Sequence, residues 1–407
     1  MKHTAMTFSL VLLLACSASA LAAEPTNSLT LFASTWRVEG MYNGLRSSAS
    51  YEAEYAGDFE NESGLAGARY KKTFHSKYDD GTSGNSWLDS IFRRQGELSI
   101  TAAAERRTLM DERATPDWML NRWAATDDRE FETTHIDGAG RWLITNRLAL
   151  RGGIGVEHEE AHFDIHRESD KPSYNMRNRE VSDVVRNSAL VNFGIDFLPR
   201  SGLVFGLATG IALRRETWDG TGTLILPGYI EGAYYDLTAT YNGGDLGLTL
   251  QVSWLTANGH LLLGTYLGGS RQVLDGNSLS NFRHGPKLPG HFRQTMDTAH
   301  VGLELHIIPV RTFRIGFHSL LRGWGMTRRE VLQAGASGML FNEDWDGIDA
   351  NGWISLDVQA GSAVSLGVDA GFRRLDWERT EAETLYTKIA DGGQDGPTGA
   401  VRIEFTF

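Results

Sequence analysis

The chain is 407 residues long, with 46 glycines, nine prolines, one cysteine and a formal net charge of −12. An acidic chain lacks the cationic surplus that supplies most affinity for phosphates, so no nucleic-acid partner is expected. A single cysteine excludes a disulfide framework, and no low-complexity linker splits the chain into separate domains.

Residues 1–23 read as a secretory signal peptide. "MKH" is a short basic start, "AMTFSLVLLLA" is an apolar run too short to span a bilayer, and "SASALAAE" offers small residues for cleavage after Ala22 or Ala23. Cleavage removes Lys2, which moves the net charge from −12 to −13 (−12 less the +1 of Lys2). "LLAC", ending at Cys16, resembles a lipoprotein processing site, although Leu stands where a smaller residue is usual. Lipidation at Cys16 and removal of Cys16 with the signal both stay open. Residues 24–407 are then a single domain.

Strand candidates follow along the chain: 28–38, 48–58, 68–78, 86–94, 97–109, 133–146, 148–163, 184–197, 202–215, 228–241, 246–262, 294–307, 312–326, 350–360, 363–377 and the closing "VRIEFTF". The later ones alternate regularly. In "TAHVGLELHI", Ala299, Val301, Leu303, Leu305 and Ile307 share one face, and His300, Gly302, Glu304 and His306 the other. "TFRIGFHSLLR" and "VSLGVDAGFR" repeat the scheme, which is the period of a strand with one apolar and one polar face. Short turns are expected at 199–202, at "NGGD" (242–245) and at 361–363. Long polar loops are expected at 167–183, 272–293, 327–349 and 377–396.

Short turns at one end, long loops at the other, and a polar face rich in glycine and mixed charge predict a closed antiparallel transmembrane β-barrel. A lipid-exposed edge cannot stay unpaired, so the sheet must close. Sixteen strands are counted, with twelve or fourteen as alternatives. Sixteen would enclose an aqueous lumen, whereas twelve would be largely filled by side chains.

The ending "VRIEFTF" places Val401, Ile403, Phe405 and Phe407 on one face. It resembles the last strand of bacterial outer-membrane barrels. That resemblance implies an outer-membrane address, recognition of the Phe407 end by the barrel-assembly machinery, and contact with membrane lipid and lipopolysaccharide.

With the apolar parity facing lipid, the lumen receives His300, Glu304, His306, Arg314, His318, Arg322, Asp357, Asp369, Arg373, Arg402 and Glu404. Such a wall either fixes the barrel's shape by salt bridges or filters solutes by their charge. The expected function is a polar, water-filled pore for passive or weakly selective passage of small solutes. Loops 110–131, 272–293 or 327–349 would fold inward to constrict it. No cofactor is expected.

"EHEEAHFDIH" sets His158, Glu160, His162, Asp164 and His166 in one row. Two imidazoles spaced by two could share a metal with a carboxylate. The row carries the lipid parity, however, and begins about ten residues, or ~33 Å, above the turn at Asn146–Arg147. A hydrated rim, a cation bridge to lipopolysaccharide and a metal site are the three readings.

"TPDWM" resembles the loop motif of omptins, surface proteases on ten-stranded barrels that set an Asp-x-Asp-Trp-Met motif across a cleft from an Asp-x-His pair. Asp117, Trp118 and Met119 match, while Thr115 stands where the other aspartate belongs. After "LPGYIEGAYYDLTATYNGGDLGLTLQVSW", similar to an omptin hairpin, the chain reads Asn258-Gly259-His260 in place of Asp-x-His. Asp164-Ile165-His166 has the right letters on another strand. The resemblance implies a hydrolase at the rim with Asp117 and His260 as its catalytic candidates. A closed structural or docking barrel is the third class.

Overall fold

A computed structural model describes residues 27–48, 51–74, 92, 94–115, 122–171, 174–225, 233–282, 287–334, 337–361, 363–383 and 387–407. The predicted signal peptide, Cys16 included, lies outside them. Fourteen strands run in order: β1 (Asn27–Ser48), β2 (Tyr51–Phe74), β3 (Gly96–Ala114), β4 (Arg122–Thr145), β5 (Leu148–Lys171), β6 (Tyr174–Arg200), β7 (Leu203–Ile225), β8 (Ala233–Leu255), β9 (Leu261–Phe282), β10 (Lys287–Val310), β11 (Phe313–Ala334), β12 (Ser337–Gln359), β13 (Val364–Glu383) and β14 (Thr387–Thr406).

Each strand pairs antiparallel with its sequence neighbours, and β1 closes the ring on β14, from Ser28 opposite Thr406 to Ser47 opposite Thr387. The seam is locked by two backbone bonds: Asn27 N–H donates to Phe407 O at 3.1 Å, and Phe407 N–H to Asn27 O at 2.9 Å. No edge remains, which is what a bilayer demands of a sheet.

The count of sixteen is therefore corrected to fourteen. Residues 51–58 and 68–74, read in two strands, are the two ends of β2; 233–241 and 246–255, also read in two strands, share β8; and β9 is a further strand absent from the candidates. Residues 86–94 are not a described strand; Phe92 and Arg94 lie in turns. The turn expected at "NGGD" is also absent, since Asn242–Asp245 lies inside β8 and the chain reverses instead at Thr256–His260. Gly202, Gly259 and Gly361 mark three of the short turns with φ of +77°, +71° and +92°, a region closed to most other residues.

The long loops are corrected as well. Residues 272–282 and 287–293 belong to β9 and β10, and 327–334 and 337–349 to β11 and β12. A strand of 22 residues such as β1, at ~3.3 Å per residue and a tilt of ~40°, stands roughly 55 Å tall. An apolar girdle needs only about 25 Å of that, so the barrel projects well beyond the bilayer on the side away from the short turns.

Candidate functional site

The two halves of the barrel wall have opposite amphipathicity. Toward the short turns, exposed Val191, Phe193, Ile195, Val301, Leu303, Ile354 and Leu356 point outward, and charged or glycine positions line the interior. In the projecting half the outside is polar, and aromatic side chains turn inward. Closure and the outward girdle identify an outer-membrane β-barrel, with the girdle in lipid and the projecting half in water.

The row from His158 to His166 sits on the outside of the projecting half. His158 meets Asn187 (Nδ1 to Oδ1, 2.9 Å) and Glu160 (3.3 Å), and His162 meets Asp183 (2.8 Å). Asp164 accepts two bonds from Arg179, at 3.0 and 2.6 Å. These polar groups pair sideways with β6 and do not converge on one point. His166 is half-buried beside them.

Inside the girdle, four of the eleven side chains assigned to the lumen form one connected group. Asp357, 2% exposed, accepts Arg314 Nε at 2.8 Å and Arg402 Nη2 at 2.6 Å. Arg402 Nη1 continues to Asp369 at 2.9 Å. Higher up, Arg373 makes a bidentate pair with Asp349 (3.0 and 2.7 Å) and lies over the Trp36 ring. His306 and His318 meet edge to face at 4.9 Å between centroids, with Glu304 Oε2 3.8 Å from His306 Nε2. His300 faces the Tyr266 ring. Arg322 sits in register between His300 and Asp349, and half-buried Glu404 lies opposite Ser365. A second cluster on the far wall, absent from the sequence reading, is Asp196 between Arg151 (2.8 Å) and Arg141 (3.7 Å).

Above this polar chamber lies a belt of buried aromatic and aliphatic groups. Tyr42, Tyr55 and Trp377 pack with Trp324 and Trp345 along one side. Phe131, Phe163 and Val184 pack with Trp218, which also joins Tyr241, Leu274 and Phe292. Cations bridge the clusters: Arg107 lies over Phe131, Arg129 over Phe163, Arg328 over Phe292 and Arg379 over Trp345.

Buried ion pairs thread the same level. Arg379 joins Glu343 at 2.6 Å and also Glu381, whose other oxygen takes Lys388 Nζ at 2.8 Å. Arg186 joins Glu216 on β7 and Glu159 on β5. Arg113 on β3 lies in the field of Glu381 on β13, and Arg129 on β4 in that of Glu343 on β12. Those strands stand on different sides of the ring, so the charges interact across the lumen.

Near the short-turn end, Phe92, from the connection between β2 and β3, packs on buried Leu198 and Val204 of β6 and β7. The inward loops expected are corrected: among the described residues 110–114, 122–131, 272–282, 287–293, 327–334 and 337–349 belong to strands. His260 lies in the short turn after β8, its Nδ1 2.6 Å from Ile308 O, at the end opposite the projecting half. Asp117, with Trp118 and Met119, lies outside the described residues.

No family model and no curated protein matches the chain. Solved structures similar to it include the TodX monoaromatic hydrocarbon channel as a deletion mutant (TM-score 0.46, 9% identity, 95% of this chain and 91% of that one). The translocator domain of the autotransporter NalP from Neisseria meningitidis follows (0.35, 12%, 100% and 98%). The outer-membrane protease OmpT from Escherichia coli is another (0.29, 9%, 95% and 99%). All are outer-membrane barrels, and likenesses of this size carry no cargo or activity across.

Proposed function

We propose that the barrel is a channel for small solutes whose narrowest level is the belt of aromatic side chains and buried ion pairs. The observation that carries this reading is the contrast between the two levels of the lumen. Below the belt the wall is polar, glycine-rich and partly hydrated, with side-chain exposures of 32% at Arg402, 33% at Arg151 and 39% at Glu304. At the belt, Tyr42, Phe163, Val184 and Phe292 are at most 5% exposed. A polar chamber under a level closed by packed aromatic rings and buried ion pairs is a pore whose side chains must part before solutes pass. Acids and bases alternate on the chamber wall, which favours weak charge selectivity.

The attraction of opposite charges across the lumen favours a second reading, a barrel permanently shut and used for docking. Conductance in planar bilayers separates the two. A channel gives rare or small steps in the native protein and larger, longer ones when Trp345 and Trp377 are both replaced by alanine. Silence from folded protein of both forms would overturn the channel. The hydrolase reading gains no support from His260 at the short-turn end or from Asp164 and His166 on the outer wall.

A further inference from the structure

We propose that Glu304, His306 and His318 form a binding site for a divalent first-row transition ion of the zinc class, set in the lumen wall near the periplasmic mouth. Among the described residues this is the one group of three His, Asp or Glu side chains whose ligating atoms gather, all within 4.8 Å of one another. The inference stands apart from the channel reading and from the rim histidines, which do not gather.

The register brings the three together. His306 on β10 lies opposite Gly316 on β11, and Glu304 opposite His318, so a two-residue spacing on each strand builds a four-position patch with one vacant corner. Gly316 leaves that corner open. A Cβ there would stand 2.7 Å from His318 Nε2, 2.9 Å from His306 Nδ1 and 2.1 Å from Ser355 Oγ. His306 Nδ1 and His318 Nε2 thus face the Gly316 corner beside Ser355, while Glu304 Oε2 approaches His306 from its Nε2 side.

Two further features point to a ligand. His306 is 7% exposed, and the Nδ1 atoms of both imidazoles are buried with no hydrogen-bond partner among the described residues. Leaving such a group unmatched is costly, and a metal satisfies it. His318 is also held in place, stacked on Trp353 at 4.8 Å and 2° and bonded through Nε2 to Ser355 Oγ at 3.1 Å. Outer-shell support of this kind fixes tautomer and ring orientation in metal sites.

Two imidazoles and one carboxylate suit zinc or its neighbours, and they leave a coordination position for water. Ligands at ~2.1 Å around a tetrahedral ion stand roughly 3.4 Å apart, so the cluster must tighten by about an ångström. Rotation of Glu304, whose side chain is 39% exposed, supplies part of that movement. Arg314, whose charge reaches Glu304 and His318, donates to Asp357 at 2.8 Å.

The test is a Co²⁺ titration of the refolded, untagged full-length barrel in detergent micelles, read by visible absorption, with Zn²⁺ as competitor. One equivalent of Co²⁺ should bind and be displaced by Zn²⁺. H306N and H318N should each weaken binding at least tenfold, S355A about tenfold through His318 orientation, and H158N not at all. Folding of every variant is checked by heat-modifiable gel mobility. Failure of folded wild-type protein to bind Co²⁺ or Zn²⁺ overturns the proposal outright. So does binding that survives H306N and H318N, or that falls with H158N. If a ligand variant does not fold, the wild-type stoichiometry together with S355A decides.

Discussion

Asp357→Ala is the most informative single change in the polar chamber. The carboxylate is 2% exposed and takes four contacts from two guanidiniums: Arg314 through Nε (2.8 Å) and Nη2 (2.7 Å), Arg402 through Nε (3.0 Å) and Nη2 (2.6 Å). Removing one partner of a buried pair costs about 3–5 kcal/mol, because the other charge keeps its desolvation penalty. Two features pull the figure to the low end. Arg402 retains Asp369 at 2.9 Å, and its side chain is 32% exposed, so water screens it. The expected loss is therefore about 3 kcal/mol. Urea unfolding in short-chain lipid vesicles, followed by tryptophan emission and gel mobility, measures it. Adding Arg314→Met should recover about 1 kcal/mol, because Arg314 loses Asp357 whereas Arg402 keeps Asp369. A loss below about 1 kcal/mol for D357A would refute the claim that this carboxylate anchors the wall.

Three other outcomes are expected. Gly302→Ala should cost about 1–3 kcal/mol, because its Cβ would stand 2.0 Å from Tyr266 Cζ, and pairing it with Tyr266→Ala should restore most of the loss in the same unfolding assay. His158→Ala and His162→Ala should each change stability by less than about 0.5 kcal/mol, since both side chains are about half exposed and their pairs are solvated. Deleting Phe407 removes both backbone bonds that lock Asn27 at the seam, and should slow folding into vesicles as read by the appearance of the heat-modifiable band.

The sequence made the lower half of each strand legible and concealed the upper half. Around Val301, Leu303 and Leu305 the apolar residues face lipid and the polar ones face inward, and alternation over nine or ten residues announces a membrane strand. Higher on the same wall the solvent changes from lipid to water. Phe131, Phe163 and Trp218 then face inward, while Glu130, His162 and Thr217 take the other face. The inversion halfway along a strand resembles the end of a strand, so the upper parts of β5, β6 and β9 to β14 read as long polar loops. The same inversion hid the aromatic belt: Phe131, Leu274, Phe292 and Trp345 stand in segments assigned to loops, and Tyr55, Phe163, Val184 and Tyr241 at or near the ends of strand candidates. The position of His158 to His166 was legible from parity alone, with no glycine bulge turning the row inward. The cluster at Glu304, His306 and His318 was only half visible: the inward parity of its members could be read, but not the register that sets His318 opposite Glu304.

The mating of Asn27 with Phe407 means that the ring has no intrinsic starting point. Asn27, the first described residue, and Phe407 lie back to back at the short-turn end, one backbone bond apart. A few added residues would join them, and the circle could be cut at another short turn, Asn146–Arg147 for instance. Such a circular permutant keeps every lateral pairing of the barrel. It alters only which two strands must find each other across the whole chain, and loop-closure entropy depends weakly on that length. The order of strands along the gene is thus a matter of assembly route, while the finished wall is indifferent to it.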